Sequence, residues 1–379
     1  MSQNIDQKAL GSYSPSTLKL VEYGVGSISK LAAALRSLEV SKVFIVTGQS
    51  ITNKTSIVNK VAEIIDIINI VAVYSDITQH APIKQVQEAT KLFEKVKANG
   101  IIAIGGGSPI DSAKLLSYRI HANTGIWVPV IAIPTTLSVA ETTAAAGFTN
   151  ENGDKVTVMD AEIAPKLIIY DAALLKYTPP ELLLSSAIRA LDHAIETLYH
   201  RNIAETPYKP LALYAIGQLF HYLPKLHDDP TNLEAGQALQ NNSFLTLFPR
   251  RTIQGGFGPS HSLGHALGAT YGIPHGITSC ITLAAVVKWK AQADEYAAAQ
   301  LVRVLPYIGL QVEPGLSQAE NAAKVSDALI KLLDGLGLST RLENYNVPTS
   351  YAHDIALRAL HGNASDPDLA ALTNLVKTL

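Results

Sequence analysis

The sequence predicts an α/β domain with a parallel sheet, followed by an all-α domain. Three observations predict it. Short β-branched runs alternate with helical patterns in the first half, strand-like runs stop after Thr178-Pro179-Pro180, and long Ala- and Leu-rich helical patterns fill the rest. A chain of 379 residues is long enough for two domains, drawn at residues 1–178 and 179–379. Hydrophobic residues make up 47% and charged residues 16%, which supplies a large core and excludes a disordered chain.

The elements follow in order. Ser27 to Leu38 reads as a helix and Lys42 to Thr47 as a buried strand. Ile51 to Ile65 is helical, Val71 to Tyr74 a strand, and Ile83 to Ala98 a helix with Pro82 just before its start. Ile101 to Ile104, Val128 to Ile133 and Leu167 to Tyr170 are further strands. Strands that are apolar throughout need cover on both faces, which argues for a parallel sheet. Helices are then expected over Glu181 to Tyr199, Tyr208 to Leu223, Leu233 to Leu247, Gly276 to Ala291, Tyr296 to Ile308, Ala319 to Leu336 and Ala352 to Leu360. The last few residues are expected to fray.

Composition narrows the function classes. The formal net charge of −2 calls for neither nucleic acid nor an anionic membrane as partner, so a small-molecule substrate is expected. Cys280 is the single cysteine, which excludes a disulfide within the chain and argues against a cysteine metal site. It reads as a small core residue, and the low cysteine count fits the cytoplasm. The polar N-terminus lacks a secretory h-region, and no apolar stretch is long enough to span a bilayer.

Two loops carry binding chemistry. The strand IIAI runs into Gly105-Gly106-Gly107-Ser108-Pro109 and then Ile110-Asp111-Ser112-Ala113-Lys114. Glycines let the backbone approach a bulky anion, and the free N–H groups of a helix start face a pyrophosphate. Ser108 is the expected N-cap and Pro109 the first helical residue. A tight glycine turn is the plainer reading of the same residues. The strand VIAIP ends in Thr135-Thr136-Leu137-Ser138, whose hydroxyls would line a ligand crevice at the carboxyl end of the sheet.

Histidines form the second constellation. His261 and His265 are four apart and share a helix face, and His275 follows a Gly-Ile-Pro turn that can bring the chain back. His193 lies in the helix SSAIRALDHAIETLYH. Imidazole clusters serve as metal ligands or as acid/base groups near neutral pH. The remaining histidines show no such spacing and read as ordinary.

GGGSPIDSAK with its strand, IPTT with the hydroxyl-rich segment after it, the AIRALDHAIE helix, and H-x-x-x-H followed by PHG together resemble the iron-containing alcohol dehydrogenase family. The resemblance is closest to its maleylacetate reductases and runs from about Leu18 to beyond Lys288. It implies an α/β dinucleotide-binding domain, a helical catalytic domain, NADH or NADPH as cofactor, an active site in the cleft and a homodimer. The iron enzymes take an Asp and, four residues later, a His from one helix, with two more histidines from the other segments. Carried over by motif, the histidine ligands would be His193, His261 and His275, and the Asp position is Arg189.

Arg189 departs from the iron pattern. A guanidinium stays charged and has no lone pair to donate, so beside a divalent ion it repels rather than ligates. Arg189 and Asp192 are three apart and could pair instead. A metal-free site is therefore expected, with His261, His265, His275, His193 and Arg189 as catalytic candidates. The cofactor set is Gly105, Gly106, Gly107, Ser108, Asp111, Thr135, Thr136, Ser138 and Lys155. Asp111 and Lys114 would steady the phosphate-loop helix or touch the nicotinamide side. Arg250, Arg251 and Arg189 are candidates to hold a substrate carboxylate, and Tyr271 to donate to substrate. No acid follows the first strand, since Thr47 is followed by Gly48-Gln49-Ser50, so NADP(H) should be tolerated alongside NAD(H).

The expected activity is hydride transfer from NADH or NADPH to an electron-poor unsaturated oxo acid or carbonyl compound. Three alternatives stay open: an iron- or zinc-dependent alcohol dehydrogenase, a non-redox lyase, dehydratase or cyclase on the same scaffold, and a cofactor-binding protein without catalysis.

Overall fold

The computed structural model describes residues 13–65, 69–153, 155–249 and 257–379. Arg250, Arg251 and the Gly255-Gly256 pair lie outside the described residues. Contacts divide the chain into two compact units. One is Ser16–Ala187 with Lys225–Phe244, and the other is chiefly Ile188–Pro224 with Leu245–Leu379.

The first unit is built on a six-stranded sheet of β1 (Leu20–Tyr23), β2 (Val43–Val46), β3 (Ile70–Tyr74), β4 (Gly100–Gly105), β5 (Val130–Pro134) and β8 (Leu167–Tyr170). The strand order is β1-β8-β5-β4-β2-β3, and every pairing is parallel. Alternate residues feed two cores. Phe44, Val46, Ile101, Ala103, Val130 and Ala132 face one way, while Val43, Ile45, Ile102, Ile104, Ile131 and Ile133 face the other. The first face is covered by α4 (Ile83–Val96) and α5 (Gly107–Thr124), through Val86, Phe93, Ile110 and Leu116. The second is covered by α1 (Leu31–Ser37) and α3 (Ile57–Ile65), through Leu31, Leu35, Ile57 and Val61. The chain leaves β2 toward β3 and leaves β4 toward β5, in opposite directions across the sheet. The carboxyl ends of β2 and β4 thus flank the point where the strand order reverses, where doubly wound sheets bind ligands.

Several boundaries differ from expectation. The helix expected over Ile51 to Ile65 is two, α2 (Gln49–Lys54) and α3. Thr55 is extended between them, and its hydroxyl donates to the Ile51 carbonyl (2.6 Å) and accepts from Ile57 N–H (3.3 Å). A side chain that offers the backbone an alternative partner breaks the helical ladder. The helix α5 begins at Gly107 with Gly106 as N-cap, so Ser108 is neither cap nor Pro109 first. The Ser108 hydroxyl instead accepts from His80 N–H at 3.1 Å. Three strands had no clear sequence signal. They are β1, which pairs with β8 far along the chain, and the antiparallel β6 (Ala145–Thr149) and β7 (Lys155–Met159).

The other unit is helical: most of α6 (Pro180–Tyr199), α7 (Tyr208–Asp228) to Pro224, then α9 (Pro259–Tyr271), α10 (His275–Ala293), α11 (Glu295–Val302), α12 (Gln318–Gly335), α13 (Ala352–Ala359) and α14 (Leu369–Val376). Between them, α8 (Leu233–Thr246) lies largely in the first unit. A core of Leu263, Leu267, Ile277, Ile281, Ile355, Leu372 and Val376 ties α9, α10, α13 and α14 together. The C-terminus is therefore not frayed: α14 is anchored by Leu372 and Val376, and the Leu379 carbonyl accepts from Leu342 N–H at 3.0 Å. Among the described residues, no helix is long and apolar enough to cross a membrane.

Candidate active site

The phosphate loop sits where β4 ends. Gly105 has φ +137, which favours glycine, and its carbonyl accepts from Thr135 N–H at 2.9 Å, tying the two loops together. A Cβ on Gly106 would meet Thr136 Cγ2 at 3.0 Å, and one on Gly107 would meet Ser138 Oγ at 3.6 Å. Thr136 and Ser138, whose hydroxyls are 3.1 Å apart, therefore stand directly on the glycines. Thr135 is buried, and its carbonyl accepts from Thr178 Oγ1 (2.7 Å).

Asp111 and Lys114 hold this loop in place. Asp111 Oδ2 accepts from Gly147 N–H (3.1 Å) in β6. Lys114 is fully buried, and its ammonium donates to Asp111 Oδ1, Thr143 Oγ1 and the carbonyls of Ala140 and Ala145. Burial lowers its pKa, and Asp111 opposes that shift. Lys155, on β7, donates to the His80 carbonyl at 3.4 Å, and its Nζ lies 3.7 Å from where a Gly147 Cβ would be. Burial lowers its pKa too, against the pull of Asp111. His80, in the stretch Gln79-His80-Ala81-Pro82, abuts Ser108 and Lys155. Its left-handed φ of +66 turns the chain against this loop.

In the helical unit the four histidines converge. Ring centroids are 5.3 Å apart for His193 and His261, 4.5 Å for His261 and His265, 5.2 Å for His265 and His275, and 5.9 Å for His261 and His275. Helix α6 carries His193, α9 carries His261 and His265 one turn apart, and α10 opens with His275. The Phe257 ring packs on His193 and His261 at 5.1 and 4.7 Å.

Arg189 is 1% exposed and enters this cluster from α6. Its Nη1 donates to Asp192 Oδ2 and to Ser279 Oγ, each at 3.0 Å, and its Nη2 donates to His261 Nδ1. Asp192 Oδ2 also accepts from Ser279 Oγ (2.6 Å) and Ser260 Oγ (3.1 Å). A Cβ on Gly264 would meet Thr278 Oγ1 at 2.8 Å and Arg189 Nη1 at 3.3 Å, so glycine makes room for the guanidinium.

The sequence reading missed Glu196, four residues beyond Asp192 and thus on the same face of α6. Its Oε1 accepts from Ser260 N–H (2.8 Å) and its Oε2 from His261 N–H (3.3 Å), so a buried carboxyl group caps the start of α9. Gly258 is required there, since a Cβ would lie 2.5 Å from Glu196 Oε1.

Burial sets the electrostatics. It pushes His261 well below the ordinary histidine range, helped by the charge of Arg189 and the neighbouring imidazoles. It also lowers Arg189, against the pull of Asp192 and Glu196. Asp192 is raised by burial, against Arg189 and its hydroxyl donors. Glu196 is pushed up to about 8 by burial and by the Asp192 charge. Tyr271 closes α9 beside Tyr351, with ring centroids 6.3 Å apart. Cys280 is buried in α10.

Known proteins agree with this architecture. Residues 19–172 match the iron-containing alcohol dehydrogenase family, and residues 183–379 match the C-terminal domain of the same family. Maleylacetate reductase of Pseudomonas knackmussii is 32% identical over 221 residues, which span 58% of this chain and 59% of that protein. The maleylacetate reductase structure from Rhizobium sp. strain MTP-10005 shares the fold at a TM-score of 0.81 and 23% identity, covering 97% of both chains. So does sulfoacetaldehyde reductase from Bifidobacterium kashiwanohense, solved with NAD+, at a TM-score of 0.81 and 21% identity over 98% of both. Together with the glycine loop and the histidine cluster, these matches show that the chain belongs to the iron-containing alcohol dehydrogenase family.

Proposed function

We propose that the chain is an NAD(P)H-dependent oxidoreductase of the maleylacetate reductase kind. It would reduce an activated unsaturated oxo acid or carbonyl compound without a metal ion. The single observation that carries the reading is the Arg189 guanidinium on His261 Nδ1.

A guanidinium can only donate, so Nδ1 of His261 must accept, and the ring proton then sits on Nε2. A histidine that ligates a metal through Nε2 needs the opposite tautomer, with Nδ1 protonated and donating to an acceptor. The donor set also places a fixed positive charge among the imidazoles, in the position that the iron pattern gives to a carboxylate. These residues do not fit a divalent ion.

They fit the other role. The bound nicotinamide dinucleotide would supply the hydride. The N–H groups at the start of α5 and the bare backbone of Gly106 and Gly107 suit its pyrophosphate. His261, neutral and held by Arg189, presents an Nε2–H to the substrate oxygen on which negative charge builds. His265 and His275 stand beside it to deliver the proton that completes reduction. Arg189 acts through His261. Its two terminal nitrogens engage Asp192, Ser279 and His261, which fixes the guanidinium against the imidazole. The reading carries with it a homodimer, as the family resemblance implies, in the cytoplasm, which the low cysteine count fits.

The test pairs two measurements on protein purified without chelator: metal content, and NADH and NADPH oxidation with maleylacetate. Absence of stoichiometric metal with rapid oxidation is expected. Stoichiometric iron or zinc, with activity lost to chelator, would restore the metal-dependent alcohol dehydrogenase. Turnover of a substrate without change at the nicotinamide absorbance would point to a non-redox enzyme.

A further inference from the structure

The carboxyl edge of the sheet holds an acid that the sequence does not place there. Beyond β2 come Thr47 and Gly48, with no carboxylate to offer a ribose. But β2 pairs with β3, Val46 against Tyr74, and beyond their ends Gly48 bridges to Asp76. Gln49 Nε2 donates to Asp76 Oδ1 at 2.9 Å. That bond orients the carboxylate, and among the described residues Oδ2 has no hydrogen-bond partner and no lysine or arginine pairs with Asp76. The side chain is exposed.

The position is the telling part. A pyrophosphate on Gly106 and Gly107 lies at the end of β4, whose neighbours are β2 and β5. On the β5 side, Thr136 and Ser138 already stand against the glycines. The strand order reverses on the β2 side, and in doubly wound sheets the adenosine ribose lies over the strand end next to the phosphate loop. A ribose there meets Gly48, Gln49 and Asp76.

We propose that Asp76, oriented by Gln49, reads the adenosine ribose and makes the enzyme prefer NAD(H). Its free oxygen accepts from the 2′-hydroxyl of NAD(H). It repels the 2′-phosphate of NADP(H), which is close to doubly charged at neutral pH. This reverses the tolerance of NADP(H) expected from Gly48, and it rests on the dinucleotide reading above.

Fluorescence titration of NADH and NADPH tests it by binding alone, without turnover. The wild-type chain should bind NADH at least roughly tenfold more tightly, the scale of a carboxylate facing a phosphate dianion across water. The exposed substitution Asp76→Asn should bring the two cofactors within about threefold, mainly by tightening NADPH. Glu63→Gln, an exposed acid on α3, should leave the ratio unchanged and so separates local contact from net charge. Equal or tighter binding of NADPH by wild type, or an unchanged ratio in Asp76→Asn, overturns the role of Asp76 while the dinucleotide reading stands. Failure of wild type to bind either cofactor overturns both.

Discussion

Replacing Arg189 by methionine should cost about 3–5 kcal/mol of stability, the loss typical when one partner of a buried ion pair is removed. The magnitude follows from what is left behind. Methionine fills most of the aliphatic volume, so little cavity forms, and the loss is chiefly charge compensation. Asp192 is fully buried, and Oδ2 would keep only Ser260 and Ser279 as donors. Its Oδ1 has no partner among the described residues. Asp192→Asn alone strands the guanidinium and should cost a similar amount. The double substitution removes both charges, so its cost should fall short of the sum by about 1–3 kcal/mol. Urea unfolding at pH 7 measures all four proteins. Trp289 fluorescence in a Trp127→Phe background reports the helical unit alone, because the chain has two tryptophans. Single costs under about 1 kcal/mol, the range of exposed pairs, would refute the reasoning, as would strict additivity.

Three further outcomes are expected. His261→Ala and His265→Ala should lower turnover by roughly a hundredfold or more, as loss of an acid/base or oxyanion group does, with little change in NADH affinity; unchanged turnover in both would remove the cluster from the chemistry. Glu196→Gln tests the raised carboxyl. Between its unfolded value of 4.5 and about 8, the folded chain holds a proton that the unfolded chain releases, so this group's contribution falls as pH rises through that window. Glutamine does not titrate, so the variant should gain on wild type by more than about 1 kcal/mol between pH 5 and pH 8 in chemical unfolding, and a constant difference would sink the assignment. Gly106→Ala should weaken NADH binding roughly tenfold, because its Cβ meets Thr136 at 3.0 Å where the backbone must approach the pyrophosphate. Equal affinity by calorimetry would place the phosphate elsewhere.

Much of this was legible in the sequence because it depends on local pattern. Runs such as Val43–Val46 and Ile101–Ile104 are apolar at every position, and a strand buried on both faces requires that. The glycine loop, the His261 and His265 pair and the departure at Arg189 are likewise local, and each could be weighed from spacing and side-chain chemistry. Tertiary structure decided the rest. The bond from Arg189 to His261 joins residues 72 apart, the cap from Glu196 to Ser260 joins residues 64 apart, and Asp76 meets Gln49 across two strand ends. β1 exists because β8 offers it an edge, and α14 because its apolar face finds the α9–α10 core. Hydrogen bonds and buried charge depend on which groups meet once water is excluded, and periodicity along a chain does not encode which side chains meet across it.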